Sequence, residues 1–188
     1  LNASHQAVAY IGQLFGYEFV HDAVADPRIA AYLRAYMETE AVPTLEVPAG
    51  FDLPGYIDQL FVRFGNPQVR DTLARLAVDA SNRIPKFLVP VLLDRVAEGA
   101  ACPIGASVIA TWRGWCRAVA AGRFTMDDAS EDQLIAAAMR SPRDFLERIP
   151  ALRPFLESPE FVRDFTRAAD LLEQEGPLAV LTVGTERR

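Results

Sequence analysis

The chain has 188 residues, of which 51% are hydrophobic and 23% are charged, and its formal net charge is −6. This length suits one domain of ordinary size, and the apolar fraction excludes an intrinsically disordered protein. The acidic balance argues against a nucleic-acid partner or an anionic membrane surface, because both require a basic face on the protein. No apolar run reaches the roughly 20 residues of a membrane-spanning helix, so no such helix is predicted.

The cysteine content excludes two further kinds of protein. Cys102 and Cys116 are the only cysteines, too few for a disulfide scaffold in a domain of this size. A zinc site would need histidines as well, and His5 and His21 lie far away in the sequence. We therefore predict no metal site and interpret both cysteines as partly buried thiols of a cytoplasmic protein.

Apolar residues at helical spacing begin at the start of the chain. Residues 1–15 carry one apolar stripe, and Gly16 ends that helix. Asp26 followed by Pro27 predicts the start of another helix, since an aspartate cap before a proline is a common first turn. Prolines and a glycine then predict a loop over residues 42–54.

The middle of the chain shows three further apolar stripes. A short helix is predicted over residues 56–64, with Tyr56 in the core. Pro67 is predicted to begin the next helix, whose buried stripe includes Val69. Residues 81–82 are predicted to break the pattern before a strongly apolar helix over residues 85–96.

The last part of the chain is also helical in pattern. Residues 104–121 predict a buried helix with Trp112 and Trp115 inward, and shorter helices are predicted from residues 131, 142 and 159. Sustained period-two alternation is almost absent. The sequence therefore predicts a single all-α domain of roughly eight to ten helices.

The first helix carries the most informative polar pair. Asn2 and His5 are three residues apart, so they share one helix face. A carboxamide can donate to a developing alkoxide or carbonyl oxygen, and an imidazole can hold a hydroxyl group or relay a proton. The pair suits a site that handles an alcohol, although the same residues are also typical of a helix cap. Glycine-rich nucleotide signatures are absent, so any nucleotide site lies elsewhere.

Four segments together resemble a known family. They are residues 2–17, 40–45, 56–67 and 71–87, which include the pairs Asn2 and His5, Glu40 and Pro43, Arg63 and Asn66, and Arg75 and Arg83. Their order and spacing are similar to those in the C-terminal domain of mannitol dehydrogenases and the related polyol and hexuronate dehydrogenases. The resemblance covers about the first hundred residues and implies a helical domain of the 6-phosphogluconate dehydrogenase C-terminal type.

The resemblance also implies a mechanism. In the family a Lys-x4-Asn-x2-His motif lies on one helix: the lysine is the general base, the asparagine stabilises the oxyanion, and the histidine orients substrate hydroxyls. Asn2 and His5 match the last two positions, whereas the lysine would fall ahead of residue 1. Lys86 does not stand at the position of that base.

Three cations are candidates for substrate binding. Arg75 matches the family position that contacts distal substrate oxygens, and Arg83 and Lys86 fall in a segment where the family's lysine and arginine are exchanged and its glycine is Ala80. Guanidinium donors suit both hydroxyls and a carboxylate, so the substrate preference is not transferred. Without the resemblance, Arg83 and Lys86 would be interpreted as solvated loop cations.

Residues 1–188 are therefore expected to form the substrate-side domain of an NAD(P)-dependent polyol 2-dehydrogenase, acting on a secondary alcohol of a sugar alcohol or hexonate. NAD or NADP would be bound mainly by an N-terminal Rossmann domain that is absent from the chain. We expect the isolated chain to be inactive and, through its uncovered interface, to dimerise.

A non-catalytic helical binding domain that keeps only the fold is the alternative. Convergence of Asn2, His5, Arg75 and Arg83 on one concave surface would favour the enzyme. The sequence assigns structural roles to the remaining conspicuous polar residues, which are His21, Glu40, Arg63 and Asn66.

Overall fold

Helices follow one another along the whole of the chain that the computed structural model describes, residues 2–183. Their bounds are α1 Ala3–Leu14, α2 Val20–Ala25, α3 Pro27–Tyr36, α4 Leu53–Phe64, α5 Leu73–Ala77, α6 Ala80–Arg83, α7 Val89–Ala97, α8 Pro103–Ala120, α9 Glu131–Ala138, α10 Pro142–Arg148, α11 Pro159–Glu175 and α12 Pro177–Val180. Nine of these twelve have six or more residues, so the predicted all-α fold is confirmed over the described residues.

Two π-helical turns and two 3₁₀ segments complete the helical structure. The turn Met37–Ala41 continues α3, and the turn Ile84–Leu88 joins α6 to α7; Val42–Thr44 and Pro150–Glu157 are 3₁₀ helices. Within residues 2–183, the only β-type pairing is an isolated bridge between Phe19 and Thr72. No helix in this range is long and apolar enough to cross a membrane.

Most predicted helix starts are confirmed because polar caps define them. Asp26 accepts a hydrogen bond from the backbone N–H of Arg28 at 2.9 Å and opens α3. Ser158 does the same for the N–H of Phe161 at 3.3 Å at the start of α11. Such caps satisfy donors that the first helical turn leaves unpaired.

The predicted helix start at Pro67 is wrong. The chain turns after α4 and passes through Arg70 with a positive φ of 47° before α5 begins at Leu73. Thr72, rather than Asn66, caps that helix by accepting from the N–H of Arg75 at 3.2 Å. Val69 is consequently 59% exposed instead of buried.

The predicted break at residues 81–82 is also displaced. The break lies at Asp79, whose φ of 58° is left-handed, and helical structure then runs unbroken from Ala80 to Ala97. Pro85 cannot donate a backbone hydrogen bond, but it lies inside the π-helical turn, where the wider hydrogen-bond spacing accommodates it. Asp128 holds α6 in place by accepting from the backbone N–H and hydroxyl of Ser81, both at 2.7 Å.

α8 is the centre of the core. It packs against α1 and α11, and its apolar residues are buried around most of its circumference. Trp115 lies 5.5 Å from Tyr10 between ring centroids, and Trp112 lies 5.4 Å from Phe145. The tryptophans thus occupy the predicted core, whereas Tyr56, predicted to join them, is 37% exposed.

Buried Glu40 caps the N-terminus of α8 from another helix. Its two carboxylate oxygens accept from the backbone N–H groups of Ile104 and Gly105, each at 2.7 Å. Burial raises the pKa of this carboxyl to about 7, while the two N–H donors oppose that rise. A Cβ at position 105 would lie 2.1 Å from Leu92 Cδ2, so only glycine allows this close approach.

Arg113 ties three parts of the fold together. It is 2% exposed; its Nη1 donates to Glu173 on α11 at 2.6 Å, and its Nη2 donates to the backbone carbonyl of Arg140 at 2.5 Å. Both contacts are charge-assisted, and one satisfies a carbonyl just beyond α9. The central helix is thereby held to the C-terminal helices by polar contacts as well as by packing.

Replacing Arg113 with Met should lower the free energy of unfolding by about 2 kcal/mol, because it leaves the Arg140 carbonyl without its donor and removes the nearer of the two arginines paired with Glu173. Chemical denaturation of the chain measures this change. Arg143→Met is the matched control, since Arg143 forms only an exposed pair with Glu147 at 3.0 Å and should cost less than about 0.5 kcal/mol. Equal losses for the two variants would contradict the assigned role of Arg113.

Candidate functional site

The predicted pair Asn2 and His5 lies at the N-terminal end of α1. The backbone carbonyl of Asn2 accepts from the N–H of His5 at 3.2 Å, whereas the Asn2 side chain makes no capping hydrogen bond. The carboxamide is exposed, and the imidazole is half-buried with its ring edge-on to Phe64 at 4.9 Å. The capping interpretation of Asn2 is therefore not supported.

All five predicted site residues line one cavity of about 480 Å³, here called the polar cavity. It lies between the first turn of α1, the helix α5 and the stretch from α6 into the π-helical turn. Its lining comprises Asn2, His5, Gln6, Arg75, Leu76, Asp79, Asn82, Arg83, Lys86 and Phe87. Amide, imidazole, guanidinium and ammonium groups thus surround a space large enough for a small polar ligand.

The three cationic side chains that line the polar cavity differ in the contacts that hold them in place. Arg75 forms a bidentate ion pair with Asp71, with both N···O distances at 2.5 Å. Arg83 donates through Nη1 to the backbone carbonyl of Leu76 at 3.3 Å. Lys86 lies 5.4 Å from the ring centroid of Phe87, a cation–π distance. Arg83 and Lys86 are on helical structure, so they are not the loop cations of the alternative interpretation.

Gln6 forms the buried floor of the polar cavity, and the sequence analysis missed it. It is 1% exposed, donates through Nε2 to the carbonyl of Leu76 at 3.3 Å, and accepts from the hydroxyl of Tyr10 at 2.6 Å. The same Leu76 carbonyl therefore binds both Gln6 and Arg83. A polar residue on the otherwise apolar stripe of α1 was the signal that could have revealed it.

A second cavity of about 250 Å³ lies on the other side of His5. Its polar lining includes His21, Arg63, Asn66 and Asp71, all but Asp71 interpreted as structural from the sequence. A third depression of about 470 Å³, here called the apolar shelf, is lined by Asn2, Leu45, Glu46, Val47, Pro48, Phe51, Leu53, Tyr56, Lys86 and Phe87. Asn2 borders all three depressions, so it lies at the point where the site opens.

The surroundings of His5 favour a neutral imidazole. Burial lowers its pKa below 6.5; the nearby carboxylate of Asp71 opposes that effect, and the guanidinium of Arg75 adds to it. At neutral pH the ring therefore keeps one N–H donor and one acceptor nitrogen. That combination suits a hydroxyl group, which can accept a hydrogen bond from the ring N–H or donate one to the other ring nitrogen.

Neither Cys102 nor Cys116 lines the polar cavity. Both thiols are buried and unpaired, and burial raises the pKa of Cys102 to about 12. Within residues 2–183, no group of three or more His, Cys, Asp and Glu side chains could hold a metal ion.

Phe64→Ala should raise the pKa of His5 toward 6.5, because removing the ring exposes the imidazole to water. An NMR pH titration measures it directly, and His21, the only other histidine, is an internal reference. Phe61→Ala is the matched control on the same helix, since Phe61 packs against Arg34 at 4.7 Å. A wild-type His5 pKa at or above 6.5 would show that burial does not dominate.

Comparisons with known proteins support the family resemblance of the sequence. The family model of the mannitol dehydrogenase C-terminal domain matches residues 1–172. Mannitol 2-dehydrogenase of Phaeosphaeria nodorum is 31% identical over 184 residues, which cover 96% of this chain and 32% of that protein. Mannitol dehydrogenase 2 of Saccharomyces cerevisiae is 30% identical over 195 residues, which cover 96% of this chain and 38% of that protein.

A solved structure extends the agreement to three dimensions. Pseudomonas fluorescens mannitol 2-dehydrogenase, in a ternary complex with NAD and D-mannitol, has a TM-score of 0.91 and 32% identity to this chain. The match covers 100% of this chain and 39% of that one. The chain spans about a third of the length of the curated relatives, between 32% and 38% of the two named. Sequence and fold together show that it belongs to the mannitol dehydrogenase C-terminal domain family.

Proposed function

We propose that this chain supplies the substrate side of an NAD(P)-dependent polyol 2-dehydrogenase, which oxidises a secondary alcohol of a sugar alcohol to a ketone. The observation that carries the proposal is the convergence of Asn2, His5 and three cationic side chains on the polar cavity. The fold alone does not require these polar and cationic side chains to line one cavity. Their convergence therefore favours the enzyme over a non-catalytic binding domain.

Asn2 has the freedom that an oxyanion donor needs. Its amide does not cap α1, and it stands where the polar cavity opens. We assign its NH₂ group to the substrate oxygen on which negative charge develops during oxidation. The neutral imidazole of His5, one helical turn further along α1, then orients a neighbouring hydroxyl.

The distal part of the substrate lies toward the cations in this proposal. Arg75, Arg83 and Lys86 donate to hydroxyl groups, and a hexonate carboxylate could use the same donors. The general base implied by the family resemblance is a lysine that falls ahead of residue 1. NAD or NADP, held by a separate N-terminal nucleotide-binding domain, would accept the hydride.

The apolar shelf supports the pairing with another domain. Leu45, Val47, Phe51 and Tyr56 are all partly exposed there and lie beside Asn2. An apolar surface at the mouth of a polar site is typical of an interface that a second domain covers. We propose that the nucleotide-binding domain packs on this shelf and closes the site from that side.

Asn2→Ala should lower kcat for polyol oxidation about 100-fold with little change in KM, because the lost donor acts mainly in the transition state. The assay is NAD reduction with a panel of polyols, using the protein that joins this chain to its nucleotide-binding domain. Arg143→Met, remote from the polar cavity, is the control. The 188-residue chain alone should reduce no NAD; measurable turnover by it would contradict the assignment.

The isolated chain should dimerise through the uncovered apolar shelf, and Phe51→Ser should weaken that dimer because it removes a side chain that is 49% exposed there. Sedimentation over a range of concentrations measures the association. Val62→Ser is the control, since Val62 is 75% exposed but lies outside the shelf. A monomer at every concentration would show that the shelf does not bind a second copy.

A further inference from the structure

Arg75 reaches the polar cavity with its guanidinium already held by another residue. Asp71 Oδ1 accepts from Nε and Oδ2 accepts from Nη2, both at 2.5 Å. No hydrogen bond from Nη1 to residues 2–183 is found, so that nitrogen keeps both of its N–H groups for a ligand. We propose that Asp71 is a positioning residue, which aims Nη1 of Arg75 into the polar cavity and keeps the charge beside His5 balanced. This inference rests on the proposed function for the identity of the ligand.

The two partners, although in direct contact, line different cavities. Arg75 lines the polar cavity and Asp71 does not, whereas Asp71 lines the second cavity behind His5 and Arg75 does not. A ligand in the polar cavity therefore meets the guanidinium and not the carboxylate. Any effect of Asp71 on such a ligand must pass through Arg75 or through the electrostatic potential at His5.

The backbone around Asp71 is fastened in place, which a positioning residue requires. The carbonyl of Asp71 accepts from the N–H of Val20 at 2.9 Å, and the N–H of Leu73 donates to the carbonyl of Glu18 at the same distance. Thr72 between them caps α5. The carboxylate thus projects from a pinned segment toward the next helical turn, where Arg75 lies.

Arg75 needs this partner because its side chain is 60% exposed, against 22% for that of Asp71. An arginine with that much freedom samples many rotamers, whereas a bidentate carboxylate selects one planar orientation. An oriented arginine loses less conformational entropy when a substrate binds. The ion pair therefore acts on substrate affinity rather than on the chemical step.

Asp71 also balances the charge that faces His5. The two charged side chains acting on the imidazole from the described elements are Asp71 and Arg75, with opposite effects on its pKa. Removing the carboxylate leaves the guanidinium unopposed, so the His5 pKa should fall further. Asp22→Asn is a matched control, because it removes the same charge beside the other histidine, 3.5 Å from His21 Nε2.

The first test uses NMR on the 188-residue chain and does not depend on activity. Asp71→Asn should lower the His5 pKa and shift the Nε–H signal of Arg75, which is identified by its loss in Arg75→Gln. Asp22→Asn should change neither. If Asp71→Asn leaves both signals as in the wild type, or if Asp22→Asn moves them equally, the positioning role is overturned.

The second test is a double-mutant cycle in the protein joined to its nucleotide-binding domain. Asp71→Asn should raise KM for the polyol about tenfold with kcat within about twofold, and Asp71→Glu should restore part of the affinity. In the Arg75→Gln background, Asp71→Asn should have no further effect on KM at neutral pH, where the imidazole of His5 is already neutral. An equal KM increase in both backgrounds would overturn the inference. Absence of polyol oxidation in the wild type would reject the proposed function, and the NMR result would then decide on Asp71 alone.

Discussion

The burial of α1 is the constraint on which the rest of the structure depends. Every residue from Ala7 to Gln13 is buried, so the middle of the helix is fixed on all sides, whereas His5 in its first turn is half-buried. Gly12 allows α1 to approach α5 closely, since a Cβ there would lie 2.7 Å from Leu73 on α5. Asn2 and His5 therefore lie at the N-terminal end of a buried helix, at a fixed distance from the helix that carries Arg75.

Polar contacts make the register between α1 and α5 specific. Gln6 and Gln13 donate to the carbonyls of Leu76 and Leu73, one helical turn apart on α5. Leu76 lies in the last turn of α5, where carbonyls have no partner within the helix, so Gln6 satisfies one of them. Sliding α1 by one residue would break both of these hydrogen bonds between buried amides and α5, which is costly. The hydrogen bonds that fix α1 against α5 therefore also fix the geometry of the site.

Much of the fold could be predicted from local signals in the sequence, whereas the roles of the candidate site residues followed from the resemblance of four segments to a known family. Aspartate and serine caps before proline located α3 and α11, and the apolar stripes located α1 and α8. The errors arose where residues far away in the sequence determine the local structure. Asn66 followed by Pro67 is compatible with both a turn and a helix start, and the chain forms the turn. Tyr56 is predicted to be in the core but lies on an uncovered surface. Gln6 and Asp71 went unassigned because their roles exist only through partners on another helix or turn.

The π-helical turn Ile84–Leu88 has a consequence for the hydrophobic pattern of its neighbours. Ala80, Ile84, Leu88 and Leu92 recur every four residues, and all are fully buried. On an uninterrupted α-helix such a row would drift about 40° at each step and leave the core. The wider turn takes up part of that drift, so the row stays in line. A one-residue deletion within this turn would thus rotate α7 out of the core while leaving every side chain on it unchanged.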